Sequence, residues 1–319
     1  MRKQCWCGNK DLSMWNDDYA LCNKCKTLVD ITEKKVETSV KDDGTSLYDS
    51  SYWTDHMFSV YRNSGLNTFY DIILYHYSER AAYWIDHFLR YIGPPARTLE
   101  IGCGMGSLTH WLKNLGFDAS ATELSPAWRR ELAEKLAIPI SAYRVSNTPE
   151  KVNSFEAIIL MDVFEHVSDP LSEIEAIANE LTPHGILMMQ LPRYDGTSSY
   201  SDLKKKDYGF LRQLLPGEHL FLYSTDAIKK ILSIHDFKYI AWYNSVFPGD
   251  MFLIASRYPL KKFTQSEIDA YYIRPDSIAA YAALKNYQKL QANHPESISL
   301  AAKKTLDLVK IKLKKMLSR

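Results

Sequence analysis

The residues that could do chemistry fall into a glycine turn, a cysteine cluster and two acid–histidine pairs. Gly102, Gly104 and Gly106 stand at every second position, directly after an apolar run ending at Ile101. They precede a helical pattern of Leu108, Trp111, Leu112 and Leu115. Glycine lets a backbone turn through positive φ and lets a ligand lie against the main chain, so strand, glycine turn and helix read as a nucleotide-type cradle at the carboxyl edge of a parallel sheet. The spacing departs from the Gly-x-Gly-x-x-Gly of dinucleotide sites, because Ser107 stands where the third glycine would fall. Glu100, two residues before Gly102, would repel a pyrophosphate and suits a cationic ligand; Cys103 lies inside the turn. Glu123 follows Gly104 by 19 residues, where a βαβ unit places an acid for ribose hydroxyls, with Leu124 and Ser125 beside it.

The cysteines are Cys5-x-Cys7 and Cys22-x-x-Cys25, with fourteen residues between the pairs, enough for a small hairpin. Four thiolates can surround one Zn²⁺ tetrahedrally, and a closed shell of this kind is structural, without an open position for chemistry. The first pair has one intervening residue where the usual knuckle has two. Clustered, paired cysteines point to metal ligation in a reducing, cytoplasmic setting rather than to disulfides. His166 closes the segment Asp162-Val163-Phe164-Glu165-His166, and Glu218-His219 follows Gly217. A histidine titrates near pH 6.5 when unperturbed and so suits a general base; equally, either histidine could cap the helix expected after it.

These residues need elements to hold them. A buried parallel strand is expected over 155–161 from its continuous apolar run, and strands near 118–122, 138–143, 186–191, 237–243 and 250–256. Helices are expected over 171–181, ended by the Thr182-Pro-His-Gly185 stop signal, and in the segment carrying Ala227, Ile228, Ile231 and Leu232. The result is an α/β doubly wound domain. Its expected boundaries are 1–32 for the cysteine segment, 33–92 for a linker and helical lid, 93–258 for the ligand-binding domain and 259–319 for a helical extension. The lid segment is rich in aromatics, among them Tyr52, whose ring could face a cationic ligand. Residues 301–319 carry seven Lys/Arg against one Asp and put Leu306, Val309, Leu313 and Leu317 on one stripe; packing, docking on a protein, or an anionic membrane surface are open to such a helix. A net charge of +1 argues against a protein whose main task is gripping nucleic acid. No apolar run approaches a membrane span.

Glu100-Ile-Gly-Cys-Gly-Met-Gly106 resembles motif I of the class I S-adenosylmethionine (SAM) methyltransferases, whose seven-stranded Rossmann-like sheet is the fold implied. Asp162-Val-Phe-Glu-His166 resembles a segment common in the small-molecule members. Together with the cysteine pairs and the late Glu218-His219-Leu220, these motifs are similar to bacterial methyltransferases with an N-terminal zinc segment, including sugar C-methyltransferases and relatives associated with surface-polysaccharide biosynthesis. The resemblance covers roughly residues 1–256. It implies SAM as cofactor, held by Glu100, Gly102, Cys103, Gly104, Gly106, Glu123, Leu124, Ser125, Asp162, Val163 and Tyr52, and structural zinc on Cys5, Cys7, Cys22 and Cys25. It implies a sugar, nucleotide-sugar or glycan acceptor, methylated on oxygen or carbon, with His219 as base, Glu218 orienting it and His166 placing the acceptor. Pro216 stands where those C-methyltransferases carry a tyrosine, and Ser146-Asn147 where the family often carries an acid for adenine. Two other classes share parts of this pattern: an rRNA methyltransferase with a zinc segment, and a catalytically silent SAM-binding subunit that docks through its basic C-terminal helix.

Overall fold

The computed structural model describes residues 4–32, 80–142, 153–206, 209–247, 249–272, 281–282 and 285. The chain divides into two compact units, Met1–Val40 with Tyr143–Leu260, and Lys41–Ala142 with Lys261–Arg319. Among the described residues no helix is long and apolar enough to cross a membrane. The lid aromatics including Tyr52, the Ser146-Asn147 pair and the basic helix of 301–319 lie outside the described residues.

The chain begins with an antiparallel meander, β1 (Leu12–Met14), β2 (Tyr19–Cys22) and β3 (Leu28–Asp30). Asn16 closes its first turn, its side-chain oxygen accepting from the Tyr19 N–H at 2.7 Å, as Asx turns do. In the other unit, α1 (Ala82–Phe88) leads to β4 (Arg97–Ile101), α2 (Ser107–Asn114), β5 (Asp118–Thr122), α3 (Pro126–Leu136) and β6 (Ile140–Ser141). β4 and β5 pair in parallel, as do β5 and β6. This is the right succession for a half of a doubly wound sheet, and the apolar faces expected of it are buried, with Leu108 and Leu112 at 2% and 1% exposure. Ser125 caps α3 by accepting from the Trp128 N–H at 3.3 Å, with Pro126 in the first turn where its missing N–H is harmless.

Returning to the first unit, β7 (Phe155–Met161) runs parallel to β8 (Leu181–Tyr194), with α4 (Pro170–Glu180) between them in sequence. Ala157 through Leu160 are fully buried, so each of the two isoleucines and the leucine contributes about 1.5–3 kcal/mol of burial. The helix stops at Glu180, as the Thr182–Gly185 signal requires, and the chain passes at once into β8, whose register against β7 slips from Phe155↔Leu181 to Ala157↔Ile186. β8 then pairs along 186–192 with antiparallel β11 (Asp250–Ser256), which pairs with β10 (Tyr239–Tyr243). The inserted stretch after β8 forms α5 (Tyr200–Lys205) and a 3₁₀ turn at Gly209–Gln213. Its Leu203 and Phe210 join Tyr19, Leu28, Tyr194 and Leu222 in one buried cluster, while Lys204, Lys205 and Lys206 stay exposed.

Glu218 and His219 do not open directly into a helix as their sequence setting suggests. A short strand, β9 (Phe221–Ser224), intervenes before α6 (Thr225–Ser233). Residues of alternating Phe-Leu-Tyr character favour this, since both faces of β9 are buried. β9 pairs in parallel with the end of β8 and antiparallel with β3, Leu28 opposite Leu222 and Val29 opposite Phe221. The cysteine segment is therefore a sheet extension of its unit. The last described helix, α7 (Gln265–Tyr271), opens on a capping box of Thr264 and Glu267.

Candidate active site

The glycine turn is built as the spacing requires. Gly102, Gly104 and Gly106 all have positive φ, 67°, 52° and 68°. The Cys103 N–H donates to the Thr122 carbonyl at 2.9 Å and the Gly106 N–H to the Cys103 carbonyl at 2.8 Å, which folds the turn over the end of β5. A Cβ on Gly106 would lie 2.9 Å from Leu136 Cδ1, so a larger residue requires that side chain to shift, besides the strain of the positive φ. The Trp128 indole N–H holds the Gly104 carbonyl at 2.7 Å.

Two buried carboxylates flank this turn. One Glu100 oxygen accepts from the Thr109 N–H at 3.0 Å and from the Thr109 hydroxyl, inside the first turn of α2, so that it complements the helix N-terminus. Burial nevertheless pushes the Glu100 carboxyl up to about 7 against those hydrogen bonds, with a smaller push from Glu123. Glu123 accepts from the Ser125 N–H at 3.0 Å. Burial raises it to about 7 as well, while the N–H groups of Ser125, Gly104 and Leu124 and the Arg129 charge pull the other way. The Cys103 thiol is pushed up by burial and by both carboxylates, so it is a neutral, inert lining group. Buried acids poised near neutrality gain from a ligand that supplies hydroxyl or ammonium donors.

In the other unit, Asp162 ends β7 with a left-handed backbone, φ 57°, held by its N–H to the Gln190 carbonyl at 2.9 Å. The Gln190 side-chain amide donates to Asp162 Oδ1 at 3.1 Å. Val163 leads into the 3₁₀ turn Phe164–His166, and the Leu220 N–H donates to the Glu165 carbonyl at 2.9 Å. This turn brings His166 against His219, ring centroids 4.7 Å apart and edge to face. His166 Nδ1 lies 3.0 Å from the Glu218 carbonyl and His219 Nδ1 2.7 Å from the Gln213 carbonyl. A carbonyl only accepts, so both Nδ1 atoms carry hydrogen and Nε2 is the lone-pair nitrogen of each ring. Neither histidine caps a helix: Asp169 caps α4 and Ser224 caps α6.

Burial pushes His219 down to about 4 and, with the neighbouring His219 ring adding to it, His166 down to about 3. Desolvation thus holds both rings below the ordinary histidine range, toward the neutral form. Glu165, which sequence reasoning passed over, is 1% exposed, and its Oε2 has no hydrogen-bond partner. The signal for it was present in the quoted Asp162–His166 segment, but burial of a carboxylate is not visible in a motif.

The cysteines come together. Cys5 Sγ lies 3.5 Å from Cys25 Sγ, Cys7 Sγ 3.6 Å from Cys22 Sγ, and all four lie within 4.8 Å of one another. A tetrahedral ion at about 2.3 Å from each sulfur needs them about 3.8 Å apart, so the donor set fits Zn²⁺. The same segment braces the histidine loop: the Tyr19 hydroxyl donates to the His219 carbonyl at 3.0 Å, and Asp30 Oδ2 accepts from the Gly217 N–H at 2.8 Å.

Residues 73–241, more than half of the chain, match the family model of a methyltransferase domain. The α/β fold and this match define a SAM-dependent methyltransferase with the Rossmann-like architecture of class I. The chain belongs to that methyltransferase domain family. It is 34% identical over 102 residues to the ubiquinone biosynthesis O-methyltransferase of Xanthomonas campestris pv. campestris (strain B100), a match covering 30% of this chain and 43% of the relative. The corresponding protein of Xanthomonas oryzae pv. oryzae (strain PXO99A) is 35% identical over 101 residues, covering 30% and 42%. The chain thus spans less than half the length of these curated relatives. Among solved structures it is similar to magnesium protoporphyrin IX methyltransferase from Synechocystis PCC 6803 with bound SAH, with TM-score 0.44 and 19% identity over 65% of this chain and 97% of that one. It is also similar to the citrinin polyketide synthase CMeT domain, with TM-score 0.44 and 18% identity over 56% and 52%.

Proposed function

We propose that this methyltransferase transfers a methyl group from SAM to an oxygen of a small hydroxylated acceptor, with His219 taking the acceptor's proton. The observation that carries this reading is the anchored Nδ1–H of His219, which leaves Nε2 as a lone pair in a buried setting. The glycine turn, Glu100 and Glu123 hold SAM, Glu123 through the ribose hydroxyls. Methyl transfer is an in-line displacement at a carbon already activated by the sulfonium, so the protein supplies position and proton removal. A base lowered to about 4 is too weak to ionise a hydroxyl beforehand. It accepts the proton as the O–CH₃ bond forms and the oxygen becomes acidic, while His166 holds the acceptor.

The acceptor of first choice is of sugar type, a nucleotide sugar or glycan, because the Glu218-His219-Leu220 element resembles that of sugar methyltransferases. A phenolic hydroxyl is the second reading. It is favoured by the weak base and by the O-methyltransferase name of the curated relatives, since a phenol ionises near pH 10 and asks less of the histidine. We further propose one structural Zn²⁺ on Cys5, Cys7, Cys22 and Cys25, which stiffens the β3–β9 pairing and hence the loop carrying Glu218 and His219.

Radiolabelled SAM presented with nucleotide sugars, glycans and catechol-type phenols distinguishes the acceptors. His219→Ala should lower kcat by about 10²–10⁴ with SAM affinity unchanged. Because His219 is lowered to about 4, the wild-type rate should stay level from pH 8 down to 6 and fall only as the histidine protonates. Full activity of the variant would remove His219 from the chemistry.

A further inference from the structure

Among the described residues, two groups of acids, histidines or cysteines converge closely enough to hold a metal ion. One is the cysteine cluster. The other is Glu165, His166 and His219, whose ligand atoms lie within 4.8 Å of one another. Three features of this second group are those of a built ligand set. The Glu165 carboxylate is 1% exposed, and one of its oxygens is without a partner, which a folded protein does not leave uncompensated without cause. Both histidines donate Nδ1–H to backbone carbonyls, of Glu218 and Gln213, the arrangement that fixes the tautomer and orientation of metal-binding imidazoles. The loop and the 3₁₀ turn that carry them are tied together by the Leu220 N–H to Glu165 carbonyl bond at 2.9 Å, so the three donors do not depend on two independent flexible segments.

We infer that Glu165, His166 and His219 form a binding site for one divalent transition-metal ion. Two neutral imidazoles and a carboxylate select zinc, cobalt, nickel, iron or manganese over magnesium or calcium, which prefer all-oxygen shells. A three-ligand shell leaves positions open, and His166 is the half-buried member of the three. The inference deepens the reading of this pocket as the acceptor site and rests on it for its chemical consequence. With an ion bound, His219 Nε2 would serve as its ligand and the ion would take over the acidifying of the acceptor hydroxyl; without it, His219 keeps the proton-accepting role proposed above. An ion held by Glu165, His166 and His219 would act as a Lewis acid on an acceptor hydroxyl that reaches it, lowering the pKa of that hydroxyl.

The test uses the full chain with its cysteine site filled by Zn²⁺, titrated with Co²⁺ at pH 7.5 and followed by calorimetry and visible absorption. The expected result is uptake of one further Co²⁺ per chain, with weak d–d bands and no sulfur charge-transfer band. Glu165→Gln, which keeps the side-chain volume, and His219→Gln should each weaken uptake by more than the roughly 10–100-fold that loss of an outer partner produces. No uptake beyond the cysteine site, or uptake unchanged in both variants, overturns the site. SAM binding and methyl transfer measured on chelator-treated protein separate the two claims. Transfer that persists at full rate without the second ion leaves the methyltransferase reading with His219 as base and removes the metal. Co²⁺ uptake without any transfer to hydroxylated acceptors does the reverse.

Discussion

Glu123 should trade stability for cofactor affinity, and the two can be separated by a single substitution. Its carboxyl is raised from 4.5 to about 7, chiefly by burial. One pKa unit corresponds to about 1.4 kcal/mol, so keeping the ligand-free site ionised above pH 7 costs roughly 3 kcal/mol. The sign follows from linkage. Between pH 4.5 and 7 the folded protein binds the proton that the unfolded chain has released, so this group lowers stability as pH rises through that window. Glu123→Gln keeps an acceptor for the Ser125 N–H and cannot ionise. It should therefore raise the stability of SAM-free protein by up to about 3 kcal/mol at pH 8, and by nearly nothing at pH 4. SAM affinity should move oppositely, because a hydrogen bond from a ribose hydroxyl to a carboxylate contributes about 1.5–3 kcal/mol, or roughly 10–100-fold in Kd. Urea unfolding at the two pH values and calorimetric titration with SAM give both numbers. A variant that is less stable at pH 8 than the parent, or that binds SAM with unchanged Kd, would refute the argument.

The remaining expectations concern the turn and the brace. Gly106→Ala should cost about 1–2 kcal/mol from its positive φ alone, more if Leu136 cannot yield to the new methyl, and should be seen as a lowered urea midpoint with weaker SAM binding. Asp30→Ala removes the buried acceptor of the Gly217 N–H; with a hydrogen bond to a charged group at about 1.5–3 kcal/mol, a loss of that size and faster amide exchange over 217–220 are expected. Cys22→Ser should release the zinc from purified protein, read by metal analysis, and loosen the same amides, because β3 is hydrogen-bonded to β9. Unchanged exchange at Leu220 after zinc loss would show that the brace is independent of the metal.

Much of the methyltransferase was legible in the chain itself. Gly102, Gly104 and Gly106 announce positive φ because only glycine adopts it without strain, and Glu123 is placed by the length of a helix and two strand ends. Ser125-Pro126 fixes a helix start, and the fully apolar run to Met161 fixes a strand buried on both faces. These are local rules of backbone sterics and periodicity, so sequence determines them. The strand β9 was not legible, since four residues of Phe-Leu-Tyr-Ser character form a strand only when β3 and β8 offer edges to pair with. The protonation of His219 was not legible either: a histidine near 6.5 in the open chain becomes one near 4 when sheet and inserted stretch remove its water. Nor could spacing show that Glu165, 54 positions before His219, shares its pocket. Desolvation and long-range pairing depend on which surfaces meet, and only the tertiary structure decides that.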